Sequence, residues 1–90
     1  MNQYTPPPAP QIKTRKPVLI FLKIVGPPLV LYVENSEAVY QEIKQIIAAA
    51  NDQSPKLIEK MGKGPLKKLA VLDTQIAGVA LQEENVSVNI

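Results

Sequence analysis

The chain has 90 residues, 46% of them apolar, with ten Lys and Arg against eight Asp and Glu for a net charge of +2. That length supports one domain with a small core, about 60% of the unfolded surface being buried at this size, and the apolar content is too high for a disordered chain. The absence of both cysteine and histidine excludes disulfides, thiolate or imidazole nucleophiles and the usual zinc and iron ligand sets.

Residues 1–16 read as a disordered, proline-rich basic arm. Pro6, Pro7, Pro8 and Pro10 favour extended polyproline conformation and bar helix, and Pro7-Pro8-Ala9-Pro10 matches a P-x-x-P ligand pattern that arises often by chance. Lys13, Arg15 and Lys16 make the arm basic. The prolines precede the apolar run and no small-residue cleavage site follows it, unlike a secretory signal. The expected location is therefore cytoplasmic, and the Asn85-Val86-Ser87 sequon is read as chance.

A single domain is expected over residues 17–84. Its first part, "PVLIFLKIVGPPLVLYV", carries one charge, Lys23. Seventeen residues interrupted by Gly26-Pro27-Pro28 fall short of the ~20 that a membrane helix needs. Their β-branched and aromatic content around a Gly-Pro turn predicts a β-hairpin, so a membrane partner is not expected. The first strand, taken as residues 18–25, places Val18, Ile20, Leu22 and Ile24 on one face and Leu19, Phe21, Lys23 and Val25 on the other.

An amphipathic helix of about fifteen residues follows. Asn35 and Ser36 are N-cap residues, Glu37 suits a helix N-terminus, and Val39, Ile43, Ile46, Ile47 and Ala50 form one apolar stripe. Asn51, in left-handed conformation, and Pro55 are expected to end it. The second half reads as three strands: "PKLIEKM", then "LKKLAVLD" after a turn in which Gly62 and Gly64 take positive φ, then "QIAGVALQ" with Gly78 marking a bulge or a close approach to the helix. Residues 85–90 alternate and form a C-terminal tail or a short edge strand. The expected fold is α+β: an antiparallel sheet of about four to five strands, order β-β-α-β-β-β, with the helix on one face.

Little of this resembles catalytic chemistry. The carboxylates Glu34, Glu37, Glu42, Asp52, Glu59, Glu83 and Glu84 sit in polar surroundings that would not raise a pKa. Asp73, at a strand end, is read as capping its local turn. No enzyme activity, catalytic residue, metal, cofactor or small-molecule substrate is expected. The densest charge lies in "KLIEKMGKGPLKK", where Lys56, Lys60, Lys63, Lys67 and Lys68 surround two glycines. With Arg15 these are candidate anion or nucleic-acid contacts, although the loop joins two strands and so is not a Walker loop. If one helix covers one face of the sheet, Leu19, Phe21 and Val25 need another cover, and they are the candidate protein-contact face.

Several segments resemble a family of small proteins of cyanobacteria and algal plastids that has no assigned function. They are Pro28-Leu29-Val30-Leu31, the helix from Ser36 to Ala50 with Tyr40, Lys67-Lys68-Leu69-Ala70-Val71-Leu72, and Ile76 with Val79. The resemblance spans residues 18–84, and the chain differs from it in its proline-rich arm and in "GKGP". It implies a photosynthetic cell and brings no activity. The expected function is a non-enzymatic interaction or accessory protein that binds another protein, a homodimer being one form of this. The alternative is a nucleic-acid-binding module built on the lysine loop and the arm.

Overall fold

The computed structural model describes residues 11–88. The P-x-x-P pattern and the arm up to residue 10 lie outside the described residues. The fold is α+β, and the described residues form one helix and seven antiparallel strands in three small sheets where a single sheet of four to five was expected.

The strands are β1 (Gln11–Arg15), β2 (Val18–Leu22), β3 (Leu29–Leu31), β4 (Leu57–Met61), β5 (Lys68–Leu72), β6 (Ile76–Leu81) and β7 (Glu84–Val88), with helix α1 (Ser36–Ala49) between β3 and β4 and a 3-10 turn at Asp73–Gln75. The central sheet has the order β3-β2-β6, and β4-β5 and β1-β7 each form a two-stranded ribbon.

Strand β2 ends at Leu22, three residues earlier than its composition suggested. It pairs with β3 only from Val18↔Leu31 to Ile20↔Leu29. Residues 23–28 lie outside the strands, although the Lys23 N–H still donates to the Gln75 carbonyl at 2.9 Å, and Pro27 and Pro28 have no N–H with which to extend the ladder from the β3 side. Ile24 and Val25 are exposed in that loop, so Ile24 is not a core residue and Val25 does not belong to the strand face assigned to it.

Strand β1 corrects the reading of residues 11–15 as part of a solvated arm. It pairs with β7 from Gln11↔Val88 to Arg15↔Glu84, and β2 pairs with β6 in the same register from Val18↔Leu81 to Phe21↔Gly78. The two ladders form one long antiparallel ribbon with an interruption at Pro17, which has no N–H to donate. Its carbonyl still accepts from the Gln82 N–H at 3.1 Å. Beyond Phe21 the register shifts, with Leu22 opposite Ile76, so Ala77 is the extra residue of a bulge next to Gly78. The bulge expected at Gly78 is present, and the side chain that approaches the glycine is Phe21 rather than one from the helix.

Helix α1 forms as its stripe predicts. The Asn35 side chain accepts from the Ala38 N–H at 3.1 Å, satisfying one of the orphan donors of the first turn. At the other end Ala50 is extended, and no residue other than glycine has positive φ among those described. Asn51 therefore does not end the helix in left-handed conformation; its side chain accepts from the Gln53 N–H at 2.9 Å and starts a turn. Ile43 is fully buried, with Val39, Ile46 and Ile47 packed beside it.

The core is one cluster of Val18, Ile20, Leu31, Ile43, Leu69 and Ile76. Val18, Ile20 and Leu31 come from one face of the central sheet, Ile43 from the helix and Leu69 from the β4-β5 ribbon. Helix and ribbon thus share the covering of one face, and Lys60 of β4 forms an ion pair with Glu42 of α1 where they meet. The base of the ribbon is closed by Asp73, whose N–H donates to the Lys56 carbonyl at 2.8 Å and whose buried carboxylate accepts from the Lys56 N–H at 2.9 Å. Asp73 caps across the ribbon and not its own turn.

Candidate functional site

The first candidate surface is the face of the central sheet turned away from helix and ribbon. Alternation along a strand turns Leu19 and Phe21 away from the core that receives Val18 and Ile20. Their cross-strand neighbours Val30, Ala80 and Gly78 lie on the same side. Phe21 is 39% and Val30 36% exposed, against 0% for Val18 and Ile20. The structure brings together Leu19 and Phe21 of the expected protein-contact face, places Val25 in the adjoining loop, and adds Val30, which sequence reasoning missed. The β3-β2 register would have found Val30, because it lies opposite Leu19.

The lysine set is divided. Lys56 lies at the base of the β4-β5 ribbon, while Lys63 and Lys67 lie at its tip, roughly 17 Å away at about 3.4 Å per residue over β4. Lys60 turns inward to Glu42. Lys68 lies opposite Met61 on the outer face of the ribbon, beside exposed Leu57, Met61 and Leu72. The five ammonium groups therefore do not converge on one ligand.

Two of the proposed basic residues, Arg15 and Lys63, line one cleft. The tip of the β4-β5 ribbon runs along the edge of β3, where the Lys63 N–H donates to the Tyr32 carbonyl at 2.7 Å. Gly64 lies so close to the Tyr32 ring that a Cβ there would fall within 3.0 Å of it. On the other side of the cleft, Lys13 and Arg15 project from the same face of β1, two residues apart. The Arg15 guanidinium lies 6.0 Å from the centre of the Tyr32 ring, at the outer limit of a cation–π contact. Lys13, Arg15, Tyr32, Lys63, Gly64 and Pro65 line an open cleft of about 510 Å³. The central place of Tyr32 was not visible in the sequence, because Arg15 and Glu84 are brought beside each other by the pairing of β1 with β7.

Two carboxylates of the chain itself pair with groups that line this cleft. Glu34 pairs with the Lys63 ammonium at 2.7 Å. The Tyr32 hydroxyl donates to Glu84, 3.1 Å from the nearer carboxylate oxygen. The hydrogen bond from Lys63, and then its charge, hold the Glu34 carboxyl below its ordinary pKa. Burial, then the hydrogen bond to Glu84 and its negative charge, raise the Tyr32 phenol above its ordinary 10.0, with Arg15 opposing.

These shifts have defined signs. A lowered carboxyl pKa stabilises the fold above the ordinary carboxylate range, and that contribution is lost as pH falls through the lowered value. A raised phenol pKa stabilises below pH 10 and is lost as pH rises through the raised value. Both Glu34 and Lys63 are well exposed, so the pair adds little to stability. Titration followed by NMR is expected to give a Glu34 midpoint that rises in Lys63→Gln, and a Tyr32 midpoint that falls in Glu84→Gln. Midpoints unchanged in these variants would disprove the pairings.

Among the described residues there is no group of three or more acidic side chains placed to hold a metal ion, and no helix is long and apolar enough to cross a membrane. Compared with family models, with curated proteins and with solved structures, the chain matches none. Functional inference rests on the two surfaces just described.

Proposed function

We propose that this chain is a non-enzymatic interaction domain that binds a different protein through the bare face of its central sheet. The observation that carries this reading is that Leu19, Phe21 and Val30 lie together on a regular three-stranded sheet while helix and ribbon cover the opposite side. Removing apolar surface of this face from water on binding is worth about 25 cal/mol per Å².

A second copy of the chain is the alternative occupant of this face.

Phe21→Glu is expected to keep the circular dichroism of the parent chain and to reduce retention of the partner from lysate at least ten-fold, because a charge would then be buried in the interface. Retention that survives Phe21→Glu and Val30→Glu, or that disappears on nuclease treatment, would refute the reading. The second reading, nucleic-acid binding, draws support from Arg15 and Lys63 lining one cleft, and it predicts steep loss of binding as salt rises.

A further inference from the structure

We infer that the cleft between the β1-β7 ribbon and the tip of β4-β5 is a binding site for a compact phosphate-bearing molecule, gripped by Lys13, Arg15 and Lys63 and guarded by the chain's own Glu34 and Glu84. This site adjoins the bare sheet face, and the inference does not depend on the reading given for that face.

The first observation is convergence. Lys13 and Arg15 come from β1 and Lys63 from the opposite half of the chain, yet they line one cleft of about 510 Å³ around Tyr32. That volume lies within the ~300–1,000 Å³ typical of small-molecule sites. Gly64 lets the loop backbone close against the Tyr32 ring, where any side chain would collide with it, so one wall of the cleft is backbone.

The second observation is what already sits there. Glu34 lies on Lys63 and Glu84 on the Tyr32 hydroxyl, so two of the groups lining the cleft already pair with carboxylate oxygens. These tethered carboxylates act at the roughly millimolar effective concentration of an intramolecular group, and a free monocarboxylate competes poorly with them. A phosphate group brings up to about two negative charges and three strong acceptor oxygens, and arginine accepts it in bidentate fashion. Phosphate is therefore the anion chemistry best suited to displace Glu34 and Glu84.

The same acidic residues argue against a long polyanion. Glu83 and Glu84 adjoin β1 on the ribbon and Glu34 stands at the other rim, so a nucleic-acid backbone continuing beyond the cleft meets like charge. A phosphomonoester or diphosphate of up to nucleotide size fits between them.

The test is an amide NMR titration of the full chain with inorganic pyrophosphate and with adenosine monophosphate, alongside a short oligothymidylate. The expected shifts cluster at Arg15, Tyr32, Lys63 and Gly64. Arg15→Gln and Lys63→Gln are expected to weaken pyrophosphate binding at least ten-fold. Glu34→Gln and Glu84→Gln, which keep the side-chain shape and remove the competing charge, are expected to tighten it several-fold. This opposition of sign distinguishes a guarded site from general attraction to a basic surface. Shifts spread over all the lysines, Glu variants that bind no more tightly, or no shift even in the Glu34→Gln, Glu84→Gln double variant would overturn the inference. So would an oligothymidylate that binds tighter than pyrophosphate with steep salt dependence, which would favour a nucleic-acid track.

Discussion

Ile20→Ala is expected to remove about 2–5 kcal/mol of stability, the usual range for truncating a buried isoleucine. Ile20 is 0% exposed in the middle of β2, the central strand of its sheet, and packs in the cluster that joins helix and ribbon. No neighbour can collapse freely into the space, because both adjacent strands are held in register at Leu29 and Val79. A domain of this size is stabilised by only ~5–15 kcal/mol, so the single change consumes a large share of it. The informative control is the next residue. Phe21→Ala removes a larger side chain from the bare face, and it is expected to cost about 1–2 kcal/mol, less than Ile20→Ala, because the ring is 39% exposed when folded. Urea denaturation of both variants checks the pair. Equal losses would mean that the bare face is covered within the monomer, and would remove the basis of the proposed interface.

Gly62→Ala is the second large effect. A Cβ at Gly62 would lie within 3.0 Å of the Leu66 carbonyl oxygen and 2.9 Å from Leu31 Cδ1. The first of these is backbone, and it cannot swing aside as a side chain would. The Gly62 N–H also donates to the Lys67 carbonyl at 2.9 Å, so relieving the clash opens the tip of the ribbon. The expected cost is about 1–3 kcal/mol or more, with the Lys63–Tyr32 hydrogen bond loosened and the cleft widened. Thermal unfolding measures the first effect and the Tyr32 amide resonance the second. A fully stable Gly62→Ala with an unmoved Tyr32 would disprove the packing of the tip against β3.

The role of these glycines shows how a sound expectation can rest on the wrong cause. A turn at "MGKGP" was legible from composition, and positive φ was the natural reason for its two glycines. Among the described residues positive φ occurs at Gly26, 158°. Gly62 and Gly64 are required by close approach to Leu66, Leu31 and Tyr32. Local sequence reports that a glycine is needed, but the atoms that need it belong to residues brought near by folding.

The candidate site divides along the same line. The bare face was foreseeable because alternation within β2 sorts Leu19 and Phe21 from Val18 and Ile20 whatever the strand pairs with. The cleft was not foreseeable. Lys63 and Arg15 were both recognisable as basic, but so were Lys56, Lys60, Lys67 and Lys68, and no spacing rule separates the lysine that shares a cleft with Arg15 from the one that meets Glu42.

Local physics was sufficient for the helix, with its Asn35 cap and its stripe through Ile43, and for the β character of the five segments from Val18 to Leu81, whereas the C-terminal segment was legible only as a tail or a short edge strand. Each depends on periodicity or on proline and glycine geometry within a few residues. Tertiary pairing alone made Gln11–Arg15 a strand, since its polar residues acquire extended structure only by hydrogen bonding to Glu84–Val88. It also separated β4-β5 from the central sheet and set Arg15 beside Tyr32. Such long-range pairings depend on the closure of the whole chain, and an antiparallel strand offers its backbone groups equally to any partner that arrives in register.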